Sequence, residues 1–158
     1  MTGAELSRYG AATYIVAAAA VWFAGAGLAT LTWPEALTIP LPFWILFGIA
    51  GLFLGGGLAL LSRALRELHR AKVRDVPARY GTYSLCRHPV YASWILFLLP
   101  AIAILTGSWP MLGLPVAGWL GYKAGIRREE RELEQRYGGA YKDYCAKTRD
   151  LLPLPPKD

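Results

Sequence analysis

A guanidinium, an imidazole and a phenol lie within five residues, in the run Arg87-His88-Pro89-Val90-Tyr91. Pro89 suits the first position of a helix, because its fixed φ matches that position and its missing N–H would have no partner there. The free N–H groups of such a helix start attract anions, and Arg87 and His88 add donors at the same place. The run predicts a site for a carboxylate. A second interpretation makes the same side chains interfacial anchors and Tyr91 a membrane-belt aromatic.

Two carboxylates, Glu129 and Glu130, follow the last apolar segment by only a few residues. From there they can reach back to the membrane face that carries Arg87 and His88. A helix through this charged block places Glu130 on one stripe with the aromatic residues that follow at three- and four-residue steps. Gly138-Gly139 predicts a bend in that helix. Most other charges of the block fit a solvated helix with i,i+4 Glu–Arg pairs.

Four apolar segments must position these groups, and they cover residues 10–33, 41–61, 90–106 and 109–122. The first two are near the ~20 residues that a helix needs to cross a membrane. The last two are shorter, each contains a proline, and a turn joins them, which predicts a tight helical hairpin. We therefore expect one domain over residues 1–158, an all-α integral membrane protein with four transmembrane helices.

The basic residues predict the topology. Of 17 Lys and Arg, one precedes the first segment, seven lie between Arg63 and Arg87, and nine lie between Lys123 and Lys157. The positive-inside rule then places both termini and the central loop on the cytoplasmic side of a cytoplasmic membrane. A cleaved signal peptide ending near Ala24-Gly25-Ala26 is the less favoured alternative, because the apolar run is too long for one. The net charge of +6 fits membrane flanks better than nucleic-acid binding.

The two cysteines, Cys86 and Cys145, fall in segments predicted to be cytoplasmic, so we expect free thiols. Neither has a metal-ligand spacing with the other or with the histidines, His69 and His88. The sequence therefore predicts no metal site.

The second apolar segment is rich in glycine, and Gly51 and Gly55 have the small-xxx-small spacing that lets membrane helices approach closely. We expect this face to pack within the monomer, with a homodimer as the alternative.

Several motifs occur in a fixed order after the second segment. They are Arg87-His88-Pro89-Val90-Tyr91, Glu129-Glu130-Arg131-Glu132-Leu133, the pair Tyr137-Gly138, the pair Tyr141 and Tyr144, and Leu151-Leu152-Pro153. Together, and beside membrane segments, they resemble the isoprenylcysteine carboxyl methyltransferases and the related membrane phospholipid (phosphatidylethanolamine) N-methyltransferases. The resemblance covers residues 58–153 and leaves the first span unmatched. Tyr137 stands where these families commonly have phenylalanine, a conservative departure.

The resemblance implies that the cytoplasmic segments 62–89 and 123–153 fold together over the third and fourth spans and enclose S-adenosylmethionine. This cofactor carries a carboxylate, an ammonium, a ribose, an adenine and a sulfonium. It therefore needs cationic donors, carboxylates and aromatic surfaces in one place, and these segments contain all three. The methyl acceptor is then expected to enter from the bilayer.

The cofactor contacts follow from the same resemblance. We expect Arg87, His88 and the helix start at Pro89 to bind the cofactor carboxylate, and Glu129 or Glu130 to bind its ammonium or ribose hydroxyls. The candidates for adenine stacking or for cation–π contact with the sulfonium are Tyr83, Tyr91, Tyr141 and Tyr144.

Two lipid-borne acceptors fit the sequence. A phospholipid amine headgroup is favoured, because the chain is short and nothing in it suggests a protein-docking domain; Glu130 or His88 would then accept the amine proton. The alternatives are a prenylcysteine carboxylate, oriented by Arg63, Arg66 or Arg127, and a small thiol or amine. A non-enzyme alternative is a membrane assembly or sensor protein on the same scaffold.

Overall fold

The regular structure of this chain is helical, as predicted, throughout residues 10–74 and 80–152, the ranges that the computed structural model describes. The α-helices are α1 Ala11–Thr32, α2 Pro34–Leu37, α3 Phe43–Val73, α4 Thr82–Leu85, α5 Pro89–Ser93, α6 Leu99–Leu105, α7 Leu114–Tyr137 and α8 Gly139–Lys147. A π-helical segment, Trp94–Leu98, joins α5 to α6, and a 3-10 turn, Pro110–Gly113, precedes α7. The first nine residues, residues 75–79 and the last six lie outside the described ranges.

Two helices are long and apolar enough to cross a membrane. The most apolar windows of α1 and α3 have mean hydropathies of 1.8 and 2.1, yet only 11% and 17% of their residues are buried inside the protein. A water-soluble protein would bury such surfaces, so these helices have the character of membrane spans. Helix α3 has 31 residues, about 46 Å at the rise of an α-helix. It therefore runs well past the predicted end of the second span at residue 61 and carries a polar extension.

The third and fourth predicted spans take different forms from the ones expected. Pro89 is the first residue of its helix, as predicted, but the helical stretch Pro89–Leu105 contains a π-helical turn just before Pro100. Proline cannot donate a backbone hydrogen bond, and the wider turn accommodates the missing donor. Helix α7 does not end at Tyr122 but continues to Tyr137, where Gly138 with a φ of 57° makes the predicted bend. The membrane crossing of these two stretches and their hairpin arrangement stay predictions.

The closest helix contact joins α1 to α7. Gly121 and Gly125 on α7 face α1, and a β-carbon at Gly121 would overlap the backbone carbonyl of Tyr14. A β-carbon at Gly125 would come within 2.7 Å of the Cα of Ala11. Small residues thus allow the two backbones to touch. This contact fixes the position of α7, which carries part of the site described next.

The glycines of α3 do not pack as the sequence suggested. A β-carbon at Gly51 or Gly55 would have nothing within 4 Å, whereas one at Gly57 would collide with Phe97 and Leu98. The prediction that the Gly51–Gly55 face packs within the monomer is therefore wrong, because α3 meets the π-helical segment through Gly57, on another face. The homodimer alternative stays a prediction.

A Gly121→Ala substitution is expected to destabilise the protein, because its β-carbon must displace the α1 backbone, at a cost of about 1–3 kcal/mol for an overpacked site. Gly51→Ala is the matched control, since it adds the same methyl group to a spanning helix where nothing lies within 4 Å. Thermal unfolding in detergent measures both. Equal melting temperatures for the two variants would contradict the α1–α7 contact.

Candidate functional site

The Cys86–His88 segment is held against the C-terminal part of the chain. Cys86 and Arg149 form an isolated parallel bridge. Arg87 N donates to Arg149 O at 2.8 Å, and His88 N donates to Asp150 O at 3.3 Å. His88 is also the N-cap residue of α5. Backbone pairing therefore brings the side chain of Asp150 beside the side chains of Arg87 and His88.

Five charged or ionisable side chains meet here, and we call them the polar cluster: Arg87, His88, Lys123, Glu130 and Asp150. Arg87 Nη2 lies 3.0 Å from Glu130 Oε1 and 3.9 Å from Asp150 Oδ1. His88 Nε2 lies 3.5 Å from the same Glu130 oxygen, and Lys123 Nζ donates to Asp150 Oδ2 at 2.8 Å. The cluster joins the start of α5, the middle of α7 and the C-terminal segment in one ion-pair network.

The surroundings favour the charged forms of Glu130, Asp150 and Arg87, as the directions of their pKa values indicate. The His88 ring and the Arg87 charge hold the pKa of Glu130 below its ordinary value, against the effect of burial. Burial would raise the pKa of Asp150, but hydrogen bonds from Lys123 and Tyr122 outweigh it and lower that pKa. Burial opposes the charge of Arg87, yet its carboxylate neighbours raise its pKa overall. Hydrogen bonds to the charged forms and opposite charges at short range explain the three directions.

Aromatic rings form the inner wall of the cluster. The rings of His88, Tyr91 and Tyr122 contact one another, with centroids 5.7–5.9 Å apart. Tyr91 donates its hydroxyl to Glu129 Oε2 at 2.8 Å, and the Tyr122 hydroxyl donates to Asp150. The hydroxyl of Tyr91 thus connects the start of α5 to Glu129 on α7.

The other predicted aromatic residues lie between α4 and α8. Tyr83 is buried, which raises the pKa of its hydroxyl, and its backbone carbonyl accepts a hydrogen bond from the Tyr144 hydroxyl at 2.6 Å. Tyr141 is buried too, and its hydroxyl has no hydrogen-bond partner among residues 10–74 and 80–152. Tyr144 therefore joins α8 to α4.

Several buried polar atoms of this region lack a well-formed hydrogen bond within the described part of the chain. They are Arg87 Nε, His88 Nε2, Glu130 Oε1 and Tyr141 OH. Buried polar groups without partners cost free energy, so natural proteins rarely keep several together. Three of the atoms belong to the polar cluster, and their mixture of donors and an acceptor suits a ligand with both an anionic and a cationic group.

The structure brings together most of the predicted candidates but not all. Arg127 is exposed on α7, and in the described ranges no hydrogen bond or ion pair joins it to the cluster. Sequence reasoning missed Asp150, Lys123 and Tyr122 as members of the cluster. Their only available signal was position, since Tyr122 and Lys123 stand at the boundary between the apolar and charged parts of α7.

Three members of the cluster also have the chemistry of metal ligands. Ligand atoms of His88, Glu130 and Asp150 all lie within 4.8 Å of one another. Spacing along the chain could not predict this group, because Asp150 arrives through backbone pairing. The Arg87 guanidinium contacts both carboxylates, and Lys123 neutralises Asp150 further. These cations neutralise the two carboxylates, as a metal ion would do. We therefore interpret the group as an ion-pair network.

An apolar groove leads into the cluster. It is lined by Ile95, Leu96, Pro115, Val116, Trp119, Leu151 and Leu152, and also by Lys123, Arg149 and Asp150. The apolar lining comes from the π-helical segment, α7 and the C-terminal segment, whereas the polar lining contains two cations and one carboxylate. Asp150 belongs to both the groove and the polar cluster.

These features define a helical protein with membrane-spanning character, a polar cluster and an apolar groove that meets it. Two curated proteins match the chain, both named protein-S-isoprenylcysteine O-methyltransferase. The one from Dictyostelium discoideum is 34% identical over 73 residues, 46% of this chain and 31% of the relative. The one from Xenopus laevis is 30% identical over 74 residues, 47% of this chain and 26% of the relative.

The chain is thus similar, over about half of its length, to two proteins named isoprenylcysteine O-methyltransferases, which confirms that part of the resemblance that the motifs indicated. The match spans less than a third of the length of either curated relative. No protein-family model matches the chain. No solved structure shows a significant match to it.

Stability is expected to fall in acid because of the polar cluster. Glu130 and Asp150 have lowered pKa values, so their contribution is present above the ordinary carboxyl pKa of about 4 and is lost as pH falls through the lowered values. Melting temperatures between pH 7 and pH 3 measure this loss, which should be smaller in Glu130→Gln. Glu132→Gln, on the exposed side of α7, should behave as wild type. Parallel curves for wild type and Glu130→Gln would contradict the expectation.

Proposed function

We propose that this protein is an S-adenosylmethionine-dependent methyltransferase whose acceptor is the carboxylate of a prenylated cysteine. The observation that carries the proposal is the position of Asp150, which belongs to both the apolar groove and the polar cluster. A lipid chain in the groove would present its polar end beside a site for a charged cofactor. Both curated relatives are named for methyl transfer to an isoprenylcysteine, which supports the same reaction.

This acceptor replaces the one that the sequence favoured. Nothing in the comparisons supports a phospholipid amine headgroup, whereas the names of both relatives support the alternative. The groove supports it too, since Lys123 and Arg149 line its polar part and an acceptor carboxylate pairs with such cations. Methyl transfer to a carboxylate also requires no base, so Glu130 and His88 need not accept a proton.

The cofactor fits the buried polar atoms that lack a well-formed hydrogen bond. The Arg87 guanidinium and His88 Nε2 supply donors for a carboxylate, and Glu130 Oε1 supplies an acceptor for an ammonium. The hydroxyl of Tyr141 is a further donor, and the wall formed by His88, Tyr91 and Tyr122 offers aromatic surface. When bound, S-adenosylmethionine supplies a methyl group on a sulfonium, which is a good leaving group.

The chain's own residues then have to bind the cofactor and the acceptor, orient them and exclude water from them. Glu129 is fixed by Tyr91 and Asp150 by Tyr122 and Lys123, so the carboxylates around the site have defined positions. Such preorganisation contributes through orientation, because an aligned pair reacts as if at high effective concentration. Burial of the cluster also strengthens its electrostatic contacts.

One face of α7 connects the two binding regions. Val116 lines the groove, Lys123 lies at its polar part, and Glu130 belongs to the cluster. The three are spaced by seven residues, which is about two helical turns, so they follow one another along the same face. A ligand pair arranged along this face would place the acceptor on the membrane side and the cofactor on the polar side.

Cofactor binding tests the polar site. Purified wild-type protein should bind S-adenosylhomocysteine in isothermal titration calorimetry, and Glu130→Gln should weaken binding about tenfold, because a charge-assisted hydrogen bond contributes roughly 1.5–3 kcal/mol. Glu132→Gln is the matched control, since Glu132 lies on the same helix and pairs with Arg128 at its surface. Absence of binding to wild-type protein would refute the proposed function, and equal weakening by both variants would refute the role of Glu130.

Methyl-labelled cofactor tests the acceptor. Protein in lipid nanodiscs should transfer label to an N-acetylated S-prenylcysteine, and the label should be released by mild base, as from an ester. Val116→Phe should raise the KM for this acceptor several-fold without changing cofactor affinity, because it narrows the groove. Leu120→Phe is the control, since Leu120 is as exposed as Val116, at 56% against 57%, but does not line the groove. Base-stable label in phospholipid would instead support the headgroup reaction.

A further inference from the structure

A carboxylate on the polar extension of α3 reaches the loop that leads into the polar cluster. Glu67 Oε2 accepts hydrogen bonds from the backbone N–H of Thr82 at 2.8 Å and from its hydroxyl at 2.6 Å. Thr82 is the first residue of α4 and is buried. Glu67 therefore satisfies two donors at the start of this short helix, whose N–H groups have no partners within it.

The residue before Thr82 is adapted to the same contact. Gly81 has a φ of 67°, in the left-handed region that favours glycine. A β-carbon at this position would overlap the Glu67 carboxylate, whose Oε2 would lie 2.8 Å away. The backbone conformation and the missing side chain of Gly81 thus both make room for Glu67.

Helix α4 is held from its other side by α8. The Tyr144 hydroxyl donates to the backbone carbonyl of Tyr83, the second residue of α4. Immediately after α4, Cys86 is fully buried and pairs with Arg149. The six residues from Thr82 to Arg87 are therefore fixed by α3, by α8 and by the C-terminal segment in turn.

We propose that Glu67 is a positioning residue of the ligand site: its carboxylate fixes α4, and through α4 it sets the positions of Tyr83 and Arg87. The inference rests on the proposed function for the identity of the ligand, but the contact itself does not. Within residues 10–74 and 80–152, Glu67 touches neither the polar cluster nor the groove, and its hydrogen bonds go to Thr82. Without it, the start of α4 loses two hydrogen bonds, and the segment that carries Arg87 samples other conformations.

Two measurements on the full chain test this role. Hydrogen exchange at the amides of residues 82–86 should be about five- to thirtyfold faster in Glu67→Ala, as expected for the loss of one or two kcal/mol of local stability. The affinity for S-adenosylhomocysteine should fall in the same variant, because only the fraction of molecules with ordered α4 binds well. Glu132→Ala, which removes a half-buried carboxylate that pairs with Arg128, should leave both quantities unchanged.

Conservative variants separate positioning from a general loss of stability. Glu67→Gln keeps an oxygen that can accept from Thr82, so it should restore most of the affinity, whereas Glu67→Asp is one methylene too short and should not. Thr82→Val removes the hydroxyl that donates to Glu67, so it should imitate part of the effect of Glu67→Ala. The double variant should be little worse than Glu67→Ala alone, because both changes act on one contact. Additive losses in the double variant would overturn the proposal.

The outcomes distinguish this inference from the proposed function. If wild-type protein binds no S-adenosylhomocysteine, the proposed function fails, and faster exchange at residues 82–86 in Glu67→Ala still supports the anchoring of α4. Unchanged exchange there, or an affinity that Glu67→Ala leaves intact in a wild-type background that binds, overturns the positioning role.

Discussion

The ion pairs of the Arg87 guanidinium are the interaction on which the rest of the site depends. Glu130 comes from the middle of α7 and Asp150 from the C-terminal segment, and Arg87 contacts both carboxylates. Asp150 links the same three parts, since its carboxylate also accepts hydrogen bonds from Tyr122 and Lys123 of α7. Removing one member of a partly buried charge network leaves the others uncompensated, which costs more than the pair itself contributes. The orientation of His88, the anchoring of Asp150 and the polar lining of the groove all follow from this arrangement.

The fold follows from the sequence where composition alone decides it. Apolar runs near 20 residues have few structures open to them, and α1 and α3 lie where those runs predict. The sequence was less informative where polarity changes within one element. The change in polarity predicts that the fourth span ends at Tyr122 and that the charged block is a separate segment. The Arg, Glu and Leu residues of this block are strong helix formers, so α7 continues to Tyr137. The π-helical turn has no periodic pattern of its own, and only Pro100 hinted at it.

The candidate site was likewise only partly predictable from the sequence. Local signals placed Arg87 and His88 at a proline-started helix, and helical spacing placed Glu129 and Glu130 opposite them. Asp150 was missed because two extended residues that pair with residues 87 and 88 leave no mark in hydrophobic periodicity. Glu67 was missed for another reason: a glutamate within a charged helical stretch resembles a solvated one. The contact that distinguishes Glu67 from a solvated glutamate depends on Gly81, which lies 14 residues further along the chain.

The sequence predicts that the first part of α7 crosses the membrane, and on that prediction its unbroken course would give the bilayer an influence on the site. From Val116 to Glu130 the helix rises about 21 Å, at 1.5 Å per residue, and no hinge lies between these residues. Membrane helices adapt to hydrocarbon layers of different thickness by tilting. A tilt of α7 would move the groove wall and Glu130 together, because both belong to one rigid helix that turns about its glycine contact with α1. Lipid composition would thereby change the depth of the polar cluster below the headgroups without altering the spacing of residues along α7.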